Sequence, residues 1–245
     1  MKNRIVTVAI FLLFMFSIAV AEELPLPKVF AENGSIFYSL GGKNKIQLTK
    51  GQKDSTPVIS PDGKKVAFLR KSSKEAYLAV GAPEDYLQSG PDGILADQVW
   101  IVDIDGKNEK MLARDRNPDD NGFDKFNGAD VIAHIDDNSL KFSPDSKSVY
   151  FISSAWVTTG GLHSVNVDGA NEHFVTAANT LDRILDKGEY KGYIVLSQHR
   201  YFLGGGSYDW YYVFSPDGKE IGPLGDDLGR VDWEMLSFER DPEKK

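Results

Sequence analysis

The sequence predicts an all-β chain assembled from repeated antiparallel hairpins, and three observations carry that expectation. Beyond its N-terminal stretch, the 245-residue chain has no long segment with helical periodicity. Its apolar runs are short, rich in β-branched and aromatic residues, and bounded by Gly, Pro, Asp and Asn. Two distinct hairpin units then recur along the chain in alternation.

The runs come first. Lys65–Leu69, Val99–Val102, Ser148–Ile152, Tyr193–Leu196 and Trp210–Phe214 each read as a strand. Most are apolar at consecutive positions instead of alternating. A strand reads that way when both faces of its sheet are covered, which stacked sheets achieve.

The first hairpin unit is an apolar strand, a Ser-Pro-Asp-Gly turn, lysine, and a second apolar strand. It occupies Val58–Phe68 and returns over Leu140–Phe151. Pro presets φ, Asp bonds back to the backbone, and Gly takes the left-handed position that closes the turn. The second unit is an apolar strand, Asp-Gly, and a polar strand. It occupies Trp100–Glu109, His163–Glu172 and Tyr212–Ile221, with a degenerate copy over Ile36–Lys45. Asp-Gly between two strands is a strong short-range hairpin signal.

Alternating the two units gives four-stranded blades. The pattern Phe-Ser-Pro-Asp-Gly-Lys followed by Val-Trp-Ile-Val-Asp-Ile-Asp-Gly-Lys-Asn resembles the TolB-type β-propeller repeat, a relative of the WD-type blade. The resemblance is specific over 58–112 and 139–176, fair over 190–225 and weak over 28–50. It implies a small propeller, most simply of four blades, with five blades or an open arc as alternatives. Three features depart from the pattern. Ser146 replaces the turn Gly of the second Ser-Pro-Asp unit. The Ser-Pro-Asp-Gly at 215–218 sits where the Asp-Gly hairpin belongs. The turn glycines Gly42, Gly106, Gly169 and Gly218 are 64, 63 and 49 residues apart, against about 40–50 for ordinary blades. Insertions near 72–97 and 116–138 account for the excess. Trp233–Glu239 has strand composition, and the sequence predicts that it closes the ring against the N-terminal hairpin.

The N-terminus reads as a secretory leader. Lys2 and Arg4 precede an apolar stretch from Ile5 to Val20 that ends in Ala19-Val20-Ala21, a small-x-small cleavage pattern. The stretch falls short of the ~18 apolar residues that define a spanning helix by default. A retained anchor is the alternative reading. Residues 1–21 are therefore assigned to a signal peptide and 22–245 to one propeller domain, periplasmic or secreted, with no stable membrane insertion after cleavage. The chain has no Cys, which excludes disulfides, thiol chemistry and lipoprotein attachment. Its formal net charge is −8, and loss of Lys2 and Arg4 with the leader makes the remainder more acidic still. Such a surface repels phosphate backbones, so nucleic acid is a poor partner.

No catalytic constellation stands out. The polar stretch 115–130 partly mimics a calcium loop through Asn117, Asp119, Asn121 and Asp124. Gly128 stands where the bidentate acid belongs. The stretch reads first as a solvated loop, with Ca²⁺ as its weak alternative; no other cofactor is implied. The four histidines, His134, His163, His173 and His199, form no close ligand pair in sequence. Gly204-Gly205-Gly206-Ser207 lacks the helix and the Gly-Lys-Ser/Thr ending of a phosphate loop, and there is no Gly-x-Ser-x-Gly elbow. Trp100, Trp156, Tyr208 and Trp210, with Tyr211 and Tyr212, read mainly as core between blades. Trp100, Trp156, Trp210 and Tyr208 are the candidates for ligand contact. The resemblance implies a non-catalytic binding module that engages an envelope or secreted protein. The alternative is a metal-assisted lyase or hydrolase acting on saccharide or peptide, with its groups gathered from different blades.

Overall fold

The structure, a computed structural model, describes residues 26–42, 44–51, 53–76, 94–117 and 127–236. Residues 1–25, and 77–93 and 118–126 within the two insertions, lie outside them. The described residues form four antiparallel sheets that follow one another as the blades of a small propeller. The first has three strands, β1 (Pro27–Glu32), β2 (Ser35–Leu40) and β3 (Asn44–Gln47). The second is a meander of β4 (Asp54–Ile59), β5 (Lys65–Glu75), β6 (Leu95–Asp103) and β7 (Lys110–Ala113). The third runs through β8 (Lys141–Phe142), β9 (Ser148–Trp156), β10 (Thr159–Asn166) and β11 (His173–Ala178). The fourth comprises β12 (Thr180–Ile184), β13 (Ile194–Tyr201), β14 (Ser207–Phe214) and β15 (Glu220–Gly225).

Each Ser-Pro-Asp turn folds alike. The Ser60 hydroxyl donates to Asp62 Oδ1 at 2.6 Å and accepts the Lys65 N–H at 3.0 Å. Ser143 does the same with Asp145 at 2.7 Å and the Ser148 N–H at 2.9 Å. Ser215 repeats it with Asp217 and the Lys219 N–H, although this turn joins the third and fourth strands of its sheet. The hydroxyl bond, with backbone N–H groups behind it, holds the Asp62 and Asp217 carboxyls below the usual carboxylate range. Ser146 adopts φ +62° in the place of Gly63, whose φ is +71°, a conformation that costs an L-residue about 1–2 kcal/mol. Its Oγ accepts the Asp62 N–H at 3.1 Å. The departure from glycine thus supplies a tie between the turns of neighbouring blades.

The Asp-Gly turns set the spacing between sheets. A Cβ on Gly106 would lie 3.5 Å from the carbonyl oxygens of Gln47 and Leu48 at the end of β3, and one on Gly169 3.7 Å from that of Met111 in β7. On Gly218 it would lie 2.2 Å from the Val175 oxygen in β11, closer than any side chain tolerates. Each turn glycine therefore packs on the outermost strand of the preceding sheet. By this rule β3 is the outer strand of the first sheet, which leaves that sheet without the inner strand found in the other three.

Three apolar clusters weld consecutive sheets. Ile36 and Leu48 meet Val66, Phe68 and Val102 between the first and second. Leu69, Val99 and Ile101 meet Val149, Phe151 and Val165 between the second and third. Tyr150, Ile152 and Leu162 meet Ile194, Leu196 and Phe214 between the third and fourth. The runs read as apolar on both faces are therefore covered on both faces, as the sequence predicts. A fourth cluster, on the far face of the last sheet, gathers Leu185, Val195 and Val213 with Tyr193, Leu228 and Trp233. It contains nothing from the first sheet.

The closing strand expected over Trp233–Glu239 does not form in its described part. Trp233–Leu236 is instead one helical turn, α1. The Asp232 carboxylate accepts the N–H groups of Glu234 and Met235 and starts the turn, as N-capping acids do. The Arg183 guanidinium lies 4.0 Å over the Trp233 ring, so Trp233 packs on its own sheet, while Met235 stays exposed. Residues 237–245 lie outside the described residues. Among the described residues no strand of the first sheet pairs with one of the fourth.

Candidate functional site

Antiparallel meanders place all connections at two ends of the sheets, and the two ends differ. One end carries the tight turns at 41–42, 60–64, 104–109, 143–147, 167–172 and 215–219 and the connection at 185–193. The other end carries the described ends of both insertions, the hairpin turns at 33–34, 157–158 and 202–206, and the described part of every link from one sheet to the next. This loop face holds the candidate site.

Its framework is a strap. Residues 127–139, which begin within the stretch 115–130 read as a solvated loop, turn inward. Asn127 caps a single 3₁₀ turn, Gly128–Asp130, and Val131, Ile132, Ala133 and Ile135 then become fully buried. Ile132 and Ile135 join the core between the second and third sheets. The strap bridges to both: Arg116 pairs with Ile132, and Ile135 with Ser153. The Asp97 side chain, only 2% exposed, is the pin. It accepts the Ile135 N–H at 3.0 Å, lies 2.8 Å from Lys71 Nζ, and stands 3.5 Å from His134 Nδ1. Burial alone would push its carboxyl up; the bonds from His134, Lys71 and Ile135 outweigh it and hold it down.

A second buried carboxylate ties the loop region to the third sheet. Glu172 receives Arg116 Nη1, and its Oε1 lies 3.0 Å from Nδ1 of fully buried His163. Burial raises its pKa, but the bonds from His163 and Arg116 overcome that and bring it down to about 2. The His163 ring stacks on Phe151 and meets Phe174 edge-on.

Between the strap and the β9–β10 turn lies an open cavity of about 490 Å³. Its walls are His134, Asp136, Asp137, Trp156, Thr158 and Asn179, among others. Thr56, at φ +51° in a bulge of β4, donates its hydroxyl to Asp137 at 3.1 Å. Asn179 donates to the Thr158 carbonyl at 2.6 Å and accepts the His199 N–H at 2.9 Å. Adjacent carboxylates, an exposed imidazole and an indole edge make a polar, weakly acidic recess with one apolar wall.

The residues singled out in sequence are dispersed. Trp156 reaches the cavity. Tyr208 and Trp210 stand together, ring centroids 5.1 Å apart, on the projecting β13–β14 hairpin. Trp100 is half-buried within the second sheet, its ring covered by Arg70 at 4.2 Å and its Nε1 donating to Gln98 at 3.0 Å. Asn117 donates its amide to the Glu75 carbonyl at 2.7 Å; Asp119, Asn121 and Asp124 lie outside the described residues. Among the described residues no three His, Asp or Glu side chains gather as a metal set. Three of the four histidines each have a carboxylate of their own: His134 with Asp97, His163 with Glu172, His199 with Asp209. Reading the sequence missed Asp97, Arg116, Glu172 and Asn179, which are single polar residues with no local pattern. The apolar run Val131-Ile132-Ala133, inside an otherwise polar insertion, was the signal that could have located the strap.

No family model matches the chain, and a search of curated proteins finds no match either. Solved structures do resemble it. Dipeptidyl peptidase 4 from Porphyromonas gingivalis is 12% identical, with a TM-score of 0.52 over 81% of this chain and 31% of that one. The β-propeller domain of the Trilobed protease from Pyrococcus furiosus is 17% identical over 82% of this chain and 53% of its own, TM-score 0.45. TolB from Acinetobacter baumannii is 13% identical over 79% and 52%, TM-score 0.37. The chain thus spans about a third to a half of these proteins. The likeness is one of fold: this chain is a four-bladed, propeller-like β-protein.

Proposed function

We propose that the chain is a non-catalytic binding module of the periplasm or the secreted space, and that its loop face receives a segment of another exported protein. The observation that carries this reading is the asymmetry of the two ends. One end is closed by tight, self-bonded turns, while the other gathers the insertions, the pinned strap and the cavity at His134, Asp136, Asp137 and Asn179. Mixed donors and acceptors beside an indole suit an extended peptide, whose backbone offers both. The carboxylates of Asp136 and Asp137 favour a segment bearing Lys, Arg or a free amine. The leader-like residues 1–21 supply the route of export. The fold by itself names no function. Photo-crosslinkers placed at Thr158 on the loop face and at Asn108 on the turn face test the reading in the cell envelope. Thr158 should capture one defined protein and Asn108 none. Capture confined to Asn108, or export of neither variant, would overturn it.

A further inference from the structure

The β13–β14 hairpin projects from the loop face and ends in a run of apolar side chains that nothing covers. Tyr201 is 66% exposed, Phe202 54%, and Leu203 fully. Exposed apolar residues are common when scattered; here they sit together at an apex. The order of polarity along the hairpin is the informative feature. Leu203 and Phe202 are outermost, and Tyr208 stacks against Phe202 at 4.5 Å. Trp210 lies two residues further down, about 7 Å at the usual strand rise.

Charges begin at the level of Tyr208, which faces Arg200, and His199 and Asp209 face each other between Tyr208 and Trp210; they are neutralised in pairs. Arg200 binds Glu220 at 2.5 Å, and His199 lies 2.9 Å from Asp209. No acidic residue occurs from Arg200 through Tyr208, in a chain of net charge −8. Two backbone bonds, both to Phe202, close the turn at the apex. The Phe202 N–H donates to Gly206 O at 3.1 Å, and the Gly205 N–H to Phe202 O at 3.0 Å.

We infer that this apex docks reversibly into the lipid–water interface of a bilayer, with Phe202 and Leu203 in the acyl boundary and Tyr201, Tyr208 and Trp210 at the headgroup level. A protein pocket places no premium on this layering. A bilayer interface does, because its polarity falls with depth and amphipathic aromatic rings collect at its boundary. Backbone groups entering it must already be hydrogen-bonded. Among the described residues no helix is long and apolar enough to cross a membrane. The contact is independent of the cavity and of its proposed protein segment.

The test uses the protein as recovered from export and vesicles of zwitterionic phosphatidylcholine, with and without anionic phosphatidylglycerol. The protein should sediment with both, and raised ionic strength should leave the partition unchanged. Lipids brominated high in the acyl chain should quench Trp210, read as the difference from W210F. F202S/L203S should lower the partition about tenfold or more for each apolar side chain removed. The paired control I46S/I221S, at exposed apolar sites elsewhere, should not change it. Equal partition of F202S/L203S and the wild type would overturn the proposal, and so would absence of binding to both vesicles. Concentration-dependent dimers abolished by F202S/L203S, without vesicle binding, would make the hairpin a self-association surface and sink the lipid reading.

Discussion

The two ends of the sheets are built from the same strands and solve opposite problems. At the turn face the Ser-Pro-Asp turns satisfy themselves: a hydroxyl, a carboxylate and a few backbone N–H groups close within five or six residues. Such turns depend little on their neighbours, and each contributes little. At the loop face, apart from its short turns, the connection between the second and third sheets is long and cannot satisfy itself. Its described part is held by single charges that reach across sheets, from Asp97 to the strap and from Glu172 to Arg116. Local turn chemistry distributes stability thinly, whereas long-range pins concentrate it in a few residues.

The comparison breaks most sharply at Asp97. Asp97→Ala removes the acceptor of Ile135 and leaves Lys71 and His134 facing a cavity. Removing one partner of a buried charged network costs about 3–5 kcal/mol, and urea unfolding should show a loss of that size. A loss under about 1 kcal/mol would mean that the strap is held by its apolar residues alone.

Glu172 sharpens the comparison through pH. Its carboxyl is held at about 2 in the folded chain, well below the ordinary value near 4.3. The stabilisation it brings is complete above that ordinary value and fades as pH falls through about 4 toward 2. Its size follows from the shift, about 3 kcal/mol. Unfolding free energies at pH 7 and pH 2.5 should therefore differ by less in Glu172→Gln than in the wild type, and the variant should be the less stable at pH 7. Parallel curves for the two proteins would remove Glu172 from the account of acid sensitivity.

The smallest effect is expected at the turn face. Ser146→Gly relieves the left-handed strain but loses the bond to the Asp62 N–H, so the two effects should nearly cancel. Ser146→Ala keeps the strain and loses the bond, and should cost about 1 kcal/mol by thermal or chemical unfolding. A Gly variant clearly more stable than the wild type would show that the tie between neighbouring turns contributes nothing.

The same contrast explains what was legible in the sequence. The turn face was readable because its determinants are local: Ser-Pro-Asp-Gly and Asp-Gly carry their own hydrogen-bonding logic within a few residues. The four sheets and their order followed from counting those turns. The loop face was largely unreadable. Nothing near Asp97 in sequence announces Ile135, and nothing near Arg116 announces Glu172. The tail was misread for a related reason. Trp233 and Leu236 have strand composition, but Asp232 caps a helical turn and Arg183 offers the Trp233 ring a closer partner than any blade edge. The strap was not anticipated, because polar residues flank Val131, Ile132 and Ala133 on both sides.

The clusters join the first sheet to the second, the second to the third, and the third to the fourth. Among the described residues that makes the protein, in thermodynamic terms, a short one-dimensional array. Its stability is a sum of sheet terms and three nearest-neighbour couplings, as in repeat proteins, without the extra coupling that a closed ring supplies. In such an array the terminal units open first and the interior units last, so amide protons of β5, β6, β9 and β10 should outlast those of β1 and β15 in hydrogen exchange. The hairpin bearing Phe202 and Leu203 belongs to a terminal unit, and its mobility is set by one interface instead of two.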